Sequence, residues 1–123
     1  ANRFISNISN SSTLSKHIKY PKSHKKANSS WFGFPVLFPN LPSASVSSIR
    51  KFLLDSKVES RPFLAGDFSL QPVSRKFKHI YFNSCPNISL FHTNSFALPC
   101  HQDISLDNVD KMCSLIEKAI NSI

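Results

Sequence analysis

Glycine is scarce in this sequence, with two residues in a chain of 123. A glycine-rich loop that cradles phosphate needs more than that, so this class of nucleotide site is excluded. Apolar runs long enough to cross a bilayer are also missing, and no membrane segment is expected. The first ten residues, ANRFISNISN, lack the apolar core of a secretory signal, so nothing points to export. The chain does not begin with Met and is read as processed, trimmed or cut from a larger protein. Cysteine is sparse and odd in number. Cys85, Cys100 and Cys113 are separated by fourteen and then twelve residues, which matches no disulfide scaffold. Reduced thiols in the cytoplasm are the expectation.

Acidic residues are absent from positions 1–54, which carry Arg3, Lys16, Lys19, Lys22, Lys25, Lys26, Arg50 and Lys51. Positions 55–123 hold seven basic and seven acidic groups, so the net charge of +8 belongs to the first part. Hydrophobic residues make up 41% and include eleven phenylalanines. That content supports one folded domain with an aromatic-rich core or interface. Residues 1–30 are rich in Ser, Asn and Lys and show no clear period beyond a short helical remnant at the start. They read as an extended or irregular basic lead-in, and residues 31–123 as a small α/β domain.

Within that domain WFGFPVLF, residues 31–38, reads as a buried strand. Gly33 inside it suggests a bulge or a close backbone approach. Ser45 can cap a helix over 46–57, with Val46, Ile49 and Leu53 on one face. A short strand is expected over Val58–Arg61 and a helix from Pro72 through His79. Ser84 or Cys85 precedes Pro86 at a plausible first helical position, so a short helix through His92 is expected. NSFALP, residues 94–99, reads as a strand. The last helix is capped by Ser105, carries Asp107 and Asp110 in its first turn, and aligns Leu106, Val109, Cys113, Ile116 and Ile120. The order strand, helix, strand, helix, helix, strand, helix gives a small α/β sandwich.

Chemistry is harder to place from composition. Zinc would need ligands paired two to four residues apart, and only Cys100-His101 are close. Three Cys and five His offer Cys–His pairs for hydrolysis, but nothing selects one of them. The stretch KHIKYPKSHKK could contact nucleic acid through phosphates, yet no recognition motif stands behind it. An interaction or nucleic-acid module using Lys16–Lys26 is the alternative reading. A lone Arg61 near a turn is usually a surface residue, although its planar fork suits phosphate or carboxylate.

Residues 58–72 read V-E-S-R-P-F-L-A-G-D-F-S-L-Q-P. This stretch resembles the segment I-E-[TS]-R-P-x-x-[AT]-G-N-[FL]-x-x-Q-P in the small C-terminal domain of DegT/StrS-type nucleotide-sugar aminotransferases and dehydratases. The strand Ser30-Trp31-Phe32-Gly33-Phe34-Pro35 is similar too, as is the closing strand, His101 and amphipathic helix. The resemblance covers roughly residues 28–123 and points to the 4-keto-6-deoxyhexose 3-dehydratase subgroup, with sugar aminotransferases close behind. It implies an α/β small domain of fold-type I enzymes, a short mostly antiparallel sheet covered by helices. Pyridoxal phosphate (PLP) is implied as cofactor in the full-length parent only, with an NDP-4-keto-6-deoxyhexose as substrate and a homodimeric parent.

The implied substrate contacts are Arg61 on a charged or hydroxylated group, a close backbone approach at Gly66, Gln71 on sugar hydroxyls, and His101 as a further polar contact. Trp31 and Phe32 would supply apolar wall, although burial in the first strand is the commoner use of such aromatics. Asp67 stands where the family usually has Asn. A carboxylate only accepts hydrogen bonds, which implies altered substrate binding or a different substrate. The Schiff-base lysine and the acidic partner of the cofactor ring are implied to lie in a large domain outside this chain, leaving the chain silent alone.

Overall fold

A computed structural model of the chain describes residues 1–27, 29–63, 67–77 and 86–123. Two short helices open it, α1 (Asn2–Asn10) and α2 (Ser12–His17). Strand β1 (Phe34–Leu37) leads to α3 (Ser43–Asp55), then to 3-10 turns at Phe68–Leu70 and Pro72–Lys76. Helix α4 (Pro86–Asn94) runs directly into β2 (Ser95–Leu98), and α5 (Leu106–Asn121) closes the chain.

β1 and β2 pair antiparallel, with Phe34 opposite Leu98 and Leu37 opposite Ser95. One-residue bridges extend the pair on both sides, Lys19 to Leu37 and Arg61 to Ala97, both antiparallel. Side chains alternate across such a ladder. Phe34, Val36, Phe96 and Leu98 therefore face the core and are buried. Helices α1, α3 and α5 cover that face, and Val46, Ile49, Leu53, Val109, Cys113 and Ile116 complete the core. The expected antiparallel sheet under helices is what the structure shows.

Residues 2–17 depart from the extended reading. Phe4, Ile8, Leu14 and Ile18 are all buried in the same core as β1. Each helix is too short for its period to stand out among Ser and Asn, and packing on α5 supplies what propensity does not. Ser11 caps α2 through the Leu14 amide. Three side chains fasten this region to α5, among them Asn7, whose Nδ2 donates to Asp110 at 2.7 Å. Arg3 grips Asp110 with two bonds of 2.6 Å, and the Ser11 hydroxyl donates to Glu117 at 2.5 Å. The hydrogen bond from Arg3, followed by that from Asn7, pulls the Asp110 carboxyl down to about 2.

Other departures are smaller. The strand expected over 58–61 is reduced to the Arg61 bridge. Helix α3 begins at Ser43 after Pro42, two residues before the expected cap. The Pro72 helix is a 3-10 turn ending at Lys76; its expected continuation to His79, and the approach to α4 at 83–85, lie outside the described residues. Leu106 was placed on the buried face of α5 but is exposed, because it precedes the first full turn packed on the core. Val109, Cys113, Ile116 and Ile120 are buried as expected, and Ser105 caps the helix through the Asn108 amide.

Candidate functional site

The segment carrying Arg61 is aimed by the end of α3. The Val58 amide donates to the Leu53 carbonyl and the Lys57 amide to the Leu54 carbonyl. Lys57 sits at φ 64, the left-handed position that such a helix stop usually gives to glycine. The glycine-poor chain uses lysine instead, and the turn sends residues 58–61 toward β2. There Arg61 and Ala97 exchange both backbone bonds, at 3.1 and 2.7 Å. Gly33 acts from the other side. A Cβ at that position would lie 3.2 Å from the Ala97 Cβ and 3.4 Å from the Leu98 carbonyl, so the expected close approach is present.

These constraints enclose a cleft of about 670 Å³ on the outer side of the sheet. Trp31, Phe32, Arg61 and His101 all line it. Phe32 is 97% exposed, so its burial as strand core is ruled out; β1 starts only at Phe34, and Phe32 lies in the bend before it. Trp31 is half-buried, with its ring 5.7 Å from that of Phe34. Phe63, which the sequence reading passed over, adds a third aromatic wall and meets Phe91 edge-on at 5.2 Å. Its position two residues after Arg61 was the available signal.

The polar groups of the cleft are few. Arg61 Nε donates to Glu59 at 3.0 Å, and both side chains are largely exposed. The remaining guanidinium N–H groups keep their fork geometry for a ligand. His101 Nδ1 lies 3.2 Å from the Asp103 amide and 3.4 Å from the Asp103 carboxylate, so Asp103 occupies Nδ1 and Nε2 is the ring nitrogen left for a ligand. Cys100 lines the cleft as a free, half-buried thiol.

Asp67 and Gln71 do not line this cleft. Asp67 is buried; its Oδ1 accepts from the Ser69 amide at 3.0 Å and hydroxyl at 2.6 Å, and its Oδ2 from the Ser89 hydroxyl at 3.0 Å. All three partners are donors, which suits a carboxylate in place of an amide. The hydrogen bond from Ser69, opposed by burial and seconded by Ser89, holds the carboxyl below its ordinary value. The Asp67 amide donates to His92 Nδ1, tying the 67–70 turn to α4. Gln71 uses its backbone carbonyl to receive the Ser74 amide and hydroxyl. Gly66 and Cys85 lie outside the described residues. Among the described residues no group of three His, Cys, Asp or Glu could hold a metal ion, and no helix is long and apolar enough to cross a membrane.

The chain belongs to the DegT/DnrJ/EryC1/StrS aminotransferase family, whose pattern matches residues 9–117. It is 22% identical over 106 residues to the lipopolysaccharide biosynthesis protein RfbH of Salmonella typhimurium, covering 86% of this chain and 24% of that protein. Among solved structures it resembles Spr1654 of Streptococcus pneumoniae in its PMP form, described as a sugar aminotransferase, with a TM-score of 0.82, 16% identity, and 98% of this chain aligned to 29% of that one. It also resembles the E. coli GDP-4-keto-6-deoxy-D-mannose-3-dehydratase with bound hydrated PLP, with a TM-score of 0.77, 19% identity, and 94% of this chain aligned to 28% of that one. The chain thus spans about a quarter to under a third of the length of these relatives.

PLP is the cofactor of this family, and the cleft does not fit it as a self-sufficient site. PLP needs an amine for its aldehyde and a carboxylate facing its ring nitrogen. The described lining has no lysine, and its one carboxylate, Glu59, is paired with Arg61.

Proposed function

We propose that this chain is the small-domain portion of a PLP-dependent nucleotide-sugar enzyme. The parent acts on an NDP-4-keto-6-deoxyhexose, removing its C3 hydroxyl or transferring an amino group to it, for surface polysaccharide synthesis. It works as a cytoplasmic homodimer, and the Schiff-base lysine comes from a large domain outside this chain. The dehydratase reading is supported by the segment around Arg61-Pro62.

One observation carries the proposal. Trp31, Phe32, Arg61 and His101, selected for their likeness to sugar-enzyme segments, converge on one cleft from three separate stretches of chain. In this reading the three aromatic walls exclude water from the sugar. The Arg61 fork donates to its oxygens, and His101 Nε2 hydrogen-bonds a hydroxyl. Such contacts with an uncharged sugar orient it without supplying the reaction.

Trp31 is the single tryptophan, so its fluorescence reports directly on the cleft. Titration with GDP-mannose is expected to quench that emission. Arg61→Gln should weaken binding by about tenfold, the usual worth of a hydrogen bond to a charged group. Unchanged affinity in Arg61→Gln would remove the cleft from the substrate path.

A further inference from the structure

The ladder register puts two cations on one face of the sheet. Lys19 pairs with Leu37, and Arg61 pairs with Ala97. Directly paired residues share a face, as do residues two apart on one strand. Leu37 and Pro35 are two apart, and Pro35 pairs with Ala97. Lys19, Leu37, Pro35, Ala97 and Arg61 therefore all point to the side opposite the core. Three strand spacings separate the two cations, about 14 Å across the sheet.

Both cations border the same apolar floor. Lys19 lies in a smaller hollow of about 330 Å³, which shares Pro21, Pro35 and Phe63 with the Arg61 cleft. The two ends differ in charge. Arg61 has a carboxylate beside it, Glu59 at 3.0 Å, which offsets part of its charge. Lys19 is exposed and makes no ion pair among the described residues, and the described lining of its hollow contains no carboxylate. Its backbone is nevertheless fixed, because Lys19 and Leu37 exchange both amide bonds at 2.8 Å. The ammonium thus projects from a rigid edge, while the neighbouring Tyr20 ring turns to the core side, 5.9 Å from Phe34.

We propose that this outer sheet face is a bed for a nucleoside-diphosphate sugar, with the diphosphate at the Lys19 edge and the sugar at the Arg61 edge. The assignment rests on the nucleotide-sugar reading above and adds the direction in which the ligand lies. A dianionic diphosphate is drawn to the unpaired ammonium and repelled by Glu59. A neutral sugar takes the hydrogen-bond donors that Glu59 leaves on Arg61.

Amide chemical shifts of the chain, followed by NMR during titration with inorganic pyrophosphate, GDP and GDP-mannose, test this. Pyrophosphate should shift the amides of Lys19 and Leu37 and leave those of Arg61 and Ala97 in place. GDP-mannose should shift both pairs. Lys19→Gln should weaken pyrophosphate and GDP about tenfold, and Lys19→Arg should keep the affinity. Pyrophosphate binding at Arg61, or wild-type affinity in Lys19→Gln, overturns the orientation even where GDP-mannose still quenches Trp31. Loss of the Trp31 response to GDP-mannose in the unmodified chain removes the nucleotide-sugar reading itself.

Discussion

Phe34→Ala is expected to destabilise the chain by about 3–5 kcal/mol, the usual cost of truncating a fully buried phenylalanine. Phe34 has no exposed surface and joins parts of the chain that are distant in sequence. Its ring stacks on Phe4 at 4.8 Å and lies 5.9 Å from Tyr20 and 5.7 Å from Trp31. Removing it deprives α1 of its main contact with the sheet and takes the support from behind the cleft wall. Small domains have about 5–15 kcal/mol of total stability, so the loss is a large share of the whole. Urea unfolding followed by circular dichroism and by Trp31 emission measures it. Phe32→Ala is the matched control. That side chain is almost wholly exposed, and its removal should change stability by no more than about 0.5 kcal/mol. Equal midpoints for the two variants would mean that Phe34 is not the hub.

Asn94→Leu is the second large effect. Asn94 is buried at the junction of α4 and β2, and its Nδ2 donates to the Phe38 carbonyl at 3.0 Å and the Leu41 carbonyl at 2.6 Å. Its Oδ1 accepts from the Thr93 hydroxyl at 2.8 Å. Leucine has a similar size but leaves both carbonyls without this donor. Stranding a buried polar group costs about 1–3 kcal/mol each. The Phe38 carbonyl keeps the Leu41 amide at 3.4 Å, so the larger loss falls on the Leu41 carbonyl. Asn94→Ser, which keeps a hydroxyl but shortens the reach, should fall between. Thermal melting of the three proteins ranks them, and a Leu variant as stable as the unmodified chain would show that water or movement of the 39–42 loop replaces the amide.

Asn94 also shows where sequence reading stops. NSFALP was read as a strand from position 94, and the strand is there from Ser95. The residue that begins the stretch instead braces a loop more than fifty positions upstream, a pairing that no local pattern encodes. The elements with strong local signals were readable. Ser105 and the alternating three- and four-residue spacing along α5 marked a helix, and Gly33 marked a close approach. Residues 2–17 were not readable as helices, because Phe4, Ile5 and Ile8 are the few apolar residues of α1 and the contact that stabilises it comes from α5.

The candidate site was partly legible for the same reason. Residue identity near Arg61-Pro62 suggested a sugar-facing role, and of the residues it singled out Trp31, Phe32, Arg61 and His101 share one cleft. It could not show that Asp67 turns inward to three donors, because Ser89 reaches it from another helix. Nor could it show Lys19 on the same sheet face as Arg61. That placement depends on two separate bridges to β1 and β2, and the basic stretch around Lys19 looked like any solvated run.

The central claim is that the cofactor chemistry resides outside this chain while the sugar-facing wall resides in it. The absorbance spectrum with PLP tests it most directly, taken on the chain alone and on the chain joined to the rest of its reading frame. The account predicts a saturable Schiff-base band, bleached by borohydride, in the longer protein only. A saturable band of that kind in the 123-residue chain alone, or in neither protein, would contradict it.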